Sequence, residues 1–478
     1  MAPLSSKPAM NTEAFKDCDI RGTTPDQVNE DIFARVGREF GRLLARDVAD
    51  GRSNDTIVIG GDGRHSTPAL LEATIRGLSG SPIGIVNLGA RVPTPAIYWA
   101  KEHFGAHASA IVTASHNPPH WNGLKVMRGA MPPRPEDIRL LADKAGEGDV
   151  IPPSGSAQTQ TVDSIVQQYM DALIRQFGSQ SLGNLKIVVD PGNGCLSGIA
   201  SHVLREIDAD VIPLHDRIDG DFSERNPDCA VAENLTDLVN AVRDEAADFG
   251  VGFDGDGDRL AVVDDTGRLL GSERLAMLLF QGAVPLGKDD TVILDNKCSM
   301  HLDRTVAALG GRAVRCKSGH AYMKRMVLER GAVAGVELSG HVFLGSINGR
   351  DDPLHTTILL AGWLARQNRP MSAFVDAFPK MHMTSDIRIE MSKADIDKLL
   401  ADCGDGLDRA EVQRIDGVRL VWPNGWLLVR RSITEPKVTI RLEGETRLDL
   451  KKIGKLFTDR FAFLRDQIES ALAGLSDA

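Results

Sequence analysis

Apolar and polar positions fall in blocks along this chain, and one block pattern occurs three times. Residues 55–59, 185–189 and 290–294 are short β-branched runs, closed by turns rich in Gly, Asn or Asp at 60–64, 190–194 and 295–297. A helix-like stretch follows each turn, which is how a buried parallel strand feeding a crossover helix reads. The strand-end residues Asp62, Asp190 and Asp295 stand 128 and 105 residues apart. Those intervals are too long for a solenoid repeat and fit three tandem α/β domains.

Each unit has a later apolar run that stops at a polar cluster. Residues 108–113 precede Ala114-Ser115-His116-Asn117-Pro118, Phe249–Phe253 precedes residues 254–259, and 332–336 precede residues 337–341. In open α/β sheets ligands bind beyond the carboxyl ends of the strands. Three equivalent strand ends with three different clusters predict one composite cleft between domains.

The C-terminal stretch is patterned differently. Residues 418–422, the turn Pro423-Asn424-Gly425 and residues 426–430 predict a β-hairpin. Residues 438–442 add a strand, and 451–475 read as one amphipathic helix, so a separate α+β domain is expected. With the Pro/Gly/Ser-rich stretch 151–156 as the first linker, the expected domains are 1–155, 156–268, 269–380 and 381–478.

Composition narrows the class. At 478 residues and 42 % apolar content the chain can fill several cores. A net charge of −11 with 5 % aromatics lacks the basic field and stacking rings of a nucleic-acid binder. The longest apolar run, 358–365, is far short of the ~20 residues of a membrane span. Residues 1–13 show no apolar core before a cleavage site. Six scattered cysteines with no Cys-x-x-Cys pair suit reduced thiols. The expectation is a soluble cytoplasmic protein with no nucleic-acid, membrane or obligate protein partner.

Asp254-Gly255-Asp256-Gly257-Asp258-Arg259 carries the strongest chemical signal. Three carboxylates alternating with glycines can converge on one hard cation, and Mg²⁺ suits so small a set. A calcium loop of the EF-hand type needs Gly sixth and Glu twelfth, where this chain has Arg259 and Asp265. An acidic surface turn is the plain alternative, but like charges this close repel without a cation among them. Ser115 and His116 are neighbours whose side chains diverge in an extended chain, and no Gly-x-Ser-x-Gly elbow is present, so a serine-hydrolase dyad is not expected. A serine near Mg²⁺ and arginines could instead accept and donate a phosphoryl group. Alone, Ser115 and Asn117 would read as turn formers before Pro118. Arg430-Arg431-Ser432-Ile433-Thr434-Glu435-Pro436 offers guanidinium and hydroxyl donors suited to phosphate, or else an edge protected by charge. Glu337-Leu338-Ser339-Gly340-His341 offers a set suited to sugar hydroxyls, although ordinary loops carry such sets too.

Together, in this order over about residues 10–460, the four clusters resemble the α-D-phosphohexomutase family, with Thr-Ala-Ser-His-Asn-Pro and Asp-Gly-Asp-Gly-Asp-Arg as its signatures. The resemblance implies three related α/β domains and a TATA-binding-protein-like fourth around a central cleft. It implies that Ser115 is the phosphoserine and that Asp254, Asp256 and Asp258 hold Mg²⁺ with it. Glu337, Ser339 and His341 would grip the sugar; Arg430, Ser432 and Thr434 would hold the non-reacting phosphate. Arg21, His116, Lys125, Arg259, Lys297 and His320 would serve as active-site cations, donors and proton carriers. Hexose 1-phosphate and hexose 6-phosphate would interconvert through a hexose 1,6-bisphosphate that turns over in the cleft.

Two positions depart from the family pattern: Val336 replaces the usual Gly before Glu337, and Ile433 replaces Asn or Gly in the phosphate loop. Glu-Leu-Ser-Gly-His is nearer the Glu-Met-Ser-Gly-His of the phosphomannomutase/phosphoglucomutase branch than the Glu-Gln-Ser-Gly-His of phosphoglucosamine mutases. That second branch, a Mg²⁺-dependent sugar phosphatase and a non-catalytic sugar-phosphate binder are the competing readings. A binder would need neither the serine nor the three aspartates.

Overall fold

The three β-branched runs form the central strands of three sheets built to one plan. Thr56–Gly61 lies parallel to Gly84–Asn87 and Ala108–Val112, and Trp121–Arg128 returns antiparallel beside the latter. Lys186–Asp190 stands in the same way between Asp210–Pro213 and Phe249–Phe253, with Leu260–Asp264 returning. Thr291–Asp295 stands between Arg312–Cys316 and Ala334–Val336, with Val342–Leu344 returning. The central strands are apolar without alternation because both faces are covered: Ile57–Ile59, Ile187–Val189 and Val292–Leu294 are wholly buried. The turn into the returning strand carries the chemical cluster in every unit.

This computed structural model describes residues 12–51, 54–147, 157–179, 181–183, 185–405, 407–432 and 437–475. The expected linker 151–156, residues 1–11 and the loop residues Ile433 and Thr434 lie outside them. Edge strands complete the sheets. Ile20–Thr23 joins the first sheet beside Trp121–Arg128, and Thr159–Thr161 joins it beside Gly84–Asn87. Leu269–Leu270 joins the second sheet beside Leu260–Asp264. Two of these strands fall past the joints expected at 155 and 268, because pairing at a sheet edge, not turn composition, decides which sheet a short strand joins.

One hydrophobic core runs through all three units, and the fourth has its own. Its sheet runs His382–Met383, Lys437–Gly444, Gly425–Arg431, Val418–Trp422, Glu411–Gln413, with Ile387–Glu390 also paired to Lys437–Gly444. Trp422 pairs with Gly425, so the hairpin turn is Pro423-Asn424 alone. The single helix expected over 451–475 is instead two, Arg447–Arg460 and Arg465–Ala473, broken at Phe461. The bend returns Leu464 and Ile468 to the core that already holds Leu450 and Phe457. The six cysteines are unpaired thiols, and no helix among the described residues is long and apolar enough to cross a membrane.

Two glycines set the approach of Glu30–Ala49 to Thr67–Leu78, the helix that follows the Arg64 turn. A Cβ at Gly77 would lie 2.0 Å from Ala34 O, and one at Gly37 would lie 2.4 Å from Thr74 O. Gly77→Ala therefore forces the helices apart, and overpacking of this kind costs about 1–3 kcal/mol. The expected outcome is a lower thermal unfolding midpoint; an unchanged melting curve would contradict this packing.

Candidate active site

After strand Ala108–Val112 the chain turns sharply through Ser115, whose φ of +52° is unusual for a residue with a side chain. Thr113 Oγ1 accepts the Ser115 N–H at 2.8 Å. Arg64, its side chain fully buried, holds the turn from behind. Its Nη1 donates to Pro118 O (2.6 Å) and Trp121 O (3.1 Å), and its Nη2 to Ser115 O (2.8 Å) and Asn117 O (2.6 Å). Nε donates to Asp62 Oδ2 at 3.0 Å, and the Phe222 ring lies 5.0 Å from the guanidinium. The left-handed turn corrects one expectation. Ser115 and His116 do not diverge, because the backbone between them is not extended, and His116 Nδ1 lies 3.3 Å from Ser115 Oγ.

The aspartate loop of the second unit meets this turn. Ser115 Oγ donates to Asp254 Oδ2 at 2.7 Å. Asp254 Oδ1 accepts the backbone N–H groups of Asp258 (3.0 Å) and Arg259 (3.1 Å). The loop can be this tight because Gly255 and Gly257 have no side chains: a Cβ at Gly255 would lie 2.6 Å from Ser115 O, and Gly257 has φ +74°. Lys125 Nζ, from strand Trp121–Arg128, donates to Asp256 Oδ2 (2.7 Å) and Asp258 Oδ2 (2.6 Å). Thr94 Oγ1 donates to Asp256 Oδ2 at 2.7 Å.

Electrostatics divide the three carboxyls. Burial raises Asp254 to about 8, with Asp258 and Asp256 adding to the rise. Burial also works against Asp256, but Lys125 and the Thr94 hydroxyl hold it far below the usual carboxylate range. Lys125 stays charged, since the two aspartates outweigh its own burial. The three carboxylates offer oxygens within 4.8 Å of one another, and Asp256 Oδ1 and Asp258 Oδ1 are buried with no hydrogen-bond partner. Two orphaned anionic oxygens in one buried cluster fit a small divalent cation.

The third unit closes on the same point. Arg259 Nε donates to His341 Nε2 at 3.1 Å, and His341 Nδ1 faces Asp351 Oδ2 at 3.1 Å. Both ring nitrogens of His341 are thus engaged. Glu337 Oε2 and Ser339 Oγ are buried and unpartnered. Gly340 O accepts the Leu260 N–H at 3.0 Å, which ties this loop to the strand following the aspartates. Val336 ends an ordinary strand, paired with Leu294 and Val342, and Leu338 packs against the core, shaping the loop from behind. The His320 ring lies 6.2 Å from that of His341. Burial lowers His320 to about 3; it lowers His116 well below the imidazole range as well, helped by Arg259 and Arg21. Arg21 donates to Asn117 Oδ1 (2.9 Å) and pairs with Asp19 (2.5 Å). Lys297 Nζ lies 3.8 Å from Asp295 Oδ2.

From the fourth unit, Arg430 lies buried 3.0 Å from Asp416, and its charge helps hold Asp295 of the third unit low. The Ser432 N–H donates to Lys437 O at 2.8 Å, across the loop that contains Thr434. Buried Glu443 accepts from Trp426 Nε1, Ser299 Oγ and the Met300 N–H, docking this unit on the helix that starts just past Lys297. The expected site residues that are described thus gather at the ends of three sheets and the edge of a fourth. Arg64, Asp416, Asp351 and Glu443 escaped the sequence reading.

Known proteins match this chain over nearly its whole length. Residues 12–149, 167–267 and 272–381 match the alpha/beta/alpha domains I, II and III of phosphoglucomutase/phosphomannomutase. The chain is 33% identical to a phosphomannomutase/phosphoglucomutase of Pseudomonas aeruginosa, over 95% of its own length and 96% of that protein's. It is 31% identical to a phosphoglucomutase of Neisseria gonorrhoeae, over 94% and 96%. A crystal structure of a phosphoglucomutase/phosphomannomutase family protein from Burkholderia thailandensis superposes with a TM-score of 0.84 at 33% identity, covering 98% and 99% of the two chains. Sequence, domain order and fold agree over nearly every residue: the chain belongs to the phosphoglucomutase/phosphomannomutase family and is a phosphohexomutase.

Proposed function

We propose that this phosphohexomutase interconverts the 1- and 6-phosphates of mannose and glucose through a phosphoserine at Ser115. The observation that carries this reading is the Ser115 hydroxyl donating to Asp254 inside a buried cluster of three aspartates, where two carboxylate oxygens lack partners. Asp254, Asp256 and Asp258, with the Ser115 oxygen, would hold Mg²⁺, which when bound draws charge from the oxygens of a transferring phosphoryl group.

The chain's own residues do the rest. Lys125 and Arg259 remain cationic among the aspartates and face the transferring group. Arg21, anchored on Asn117, adds a third cation at the serine turn. Glu337 and Ser339, with unpartnered oxygens, grip sugar hydroxyls, while His341, expected to join them, has both ring nitrogens engaged and holds Arg259 beside them. Arg430, Ser432, Thr434 and Lys297 hold the non-reacting phosphate. Burial keeps His116 and His320 neutral, so each offers one donor and one acceptor, and an incoming phosphate dianion raises both toward the imidazolium. Phospho-Ser115 gives its group to the free 1- or 6-hydroxyl, the hexose 1,6-bisphosphate turns over, and Ser115 takes the other phosphate. Arg64 fixes the backbone that aims the serine. Movement of the fourth domain over the cleft keeps water from the phosphoserine.

Phosphorus NMR of the protein with Mg²⁺, a trace of glucose 1,6-bisphosphate and, in separate tubes, mannose, glucose or glucosamine 1-phosphate tests the reaction. Conversion to 6-phosphates is expected, fastest with mannose or glucose, and it should stop on chelation of Mg²⁺. Inorganic phosphate as the sole product would mean a phosphatase, and a fastest glucosamine tube would move the protein to that branch. Ser115→Ala should abolish turnover; undiminished turnover would refute the phosphoserine. Arg64→Lys loses the fork that grips four carbonyls, and misplacing the nucleophile by about 1 Å costs about 10²-fold in rate. Near-normal kcat in that variant would show that the turn holds without Arg64.

A further inference from the structure

The fourth domain brings a carboxylate into the cleft along with its phosphate-binding arginine. Asp416 lies in the turn before Val418–Trp422, beside Gly417, whose φ is +78°. A Cβ at Gly417 would lie 2.2 Å from Val429 O and 2.7 Å from Arg430 Cα. The turn is thereby pressed flat against the arginine's own backbone. Asp416 Oδ2 stands 3.0 Å from Arg430 Nε, with each side chain only 9 % exposed. Among the described residues no other ion-pair partner meets Arg430.

Burial raises the Asp416 carboxyl, and Arg430, Lys317 and the backbone N–H of Ser318, in the third-unit loop that leads into His320, act against that rise. Arg430 Nε and Nη2 and Asp416 Oδ2 are all buried with no hydrogen-bond partner, so the carboxylate holds the guanidinium by charge and leaves its N–H groups as unused donors. Leaving such a donor unpaired is costly, and a phosphate oxygen is the acceptor that suits its fork.

We propose that Asp416 is a positioning residue of the phosphate subsite: its charge holds the buried guanidinium of Arg430 in place so that the unpaired N–H groups face the non-reacting phosphate. This rests on the assignment of Arg430 to phosphate made above. In a mutase the subsite must take a phosphate twice, from two orientations of the sugar. An arginine already aimed recaptures the turned bisphosphate without paying again for side-chain ordering. One left free to swing would let the bisphosphate escape.

A double-mutant cycle on the full chain tests this, read with glucose 1-phosphate as substrate and glucose 1,6-bisphosphate as activator. Asp416→Asn keeps the shape but loses the charge. It should raise KM about 10-fold and raise the activator concentration needed for half-maximal rate similarly, with kcat within about 3-fold. Asp416→Glu should restore most of the loss. Arg430→Gln should raise KM by itself, and adding Asp416→Asn to it should change little further, since Asp416 acts through Arg430. If the Asn variant does not fold, Asp416→Ser takes its place in the cycle. A KM within about 2-fold of wild type in the Asp416 variant, or effects that add in full, would overturn the proposal while leaving the Arg430 assignment intact. Wild-type KM in Arg430→Gln would overturn that assignment and the proposal with it.

Discussion

Three aspartates within five residues, all buried, can coexist only where positive charge is brought to them. A buried carboxylate loses several kcal/mol of hydration, and the loop's own N–H groups and Arg259 serve chiefly Asp254. The ammonium that meets Asp256 and Asp258 comes from the first unit, as do the hydroxyls of Ser115 and Thr94. The serine turn and the aspartate loop therefore define each other's position. Either alone would be a strained turn or an uncompensated cluster of charge. Together they leave two anionic oxygens unsatisfied, an imbalance that a divalent cation would correct.

The repeat explains how four different chemistries reach one point. In each of the first three units the site loop joins the strand beside the central one to its antiparallel return. One plan thus presents the Ser115 turn, the aspartate loop and the loop at residues 337–341 at equivalent strand ends. The continuous core through these units holds the three loops in register, as cross-unit bonds such as Leu260 N to Gly340 O show. The fourth unit has a separate core and meets the others through charges: Glu443 on the Ser299 cap, Arg304 on Glu445, and Arg441 beside Glu273. That division suits a rigid chemical centre with one element free to adjust to either orientation of the sugar.

Much of this is legible in the chain because both signals are local. Central strands buried on both faces must be continuous apolar runs, so 55–59, 185–189 and 290–294 announce themselves. A loop of alternating Asp and Gly likewise states its chemistry in six residues. What the sequence hides is tertiary pairing. Arg64 reads as one more residue of a polar turn, because its partners are backbone carbonyls of a segment more than fifty residues away, which leave no side-chain signature. Asp416 lies 14 residues before Arg430 on the other arm of a hairpin, and only the strand register brings them together. Ser115 and His116 meet because of a left-handed φ that residue types do not disclose. The break at Phe461 escaped for a similar reason: the amphipathic pattern continues through it while the backbone turns to keep Ile468 in the core.

The central claim is that Ser115 carries the phosphoryl group within a water-excluding cleft. Loading the protein with phosphorus-32 from labelled glucose 1,6-bisphosphate, mapping the labelled peptide, and chasing with unlabelled glucose 6-phosphate reads that claim directly. The account predicts label on the Ser115 peptide and its departure onto sugar within the mixing time, with inorganic phosphate a minor product. Label on another residue, or label leaving chiefly as inorganic phosphate, would contradict it.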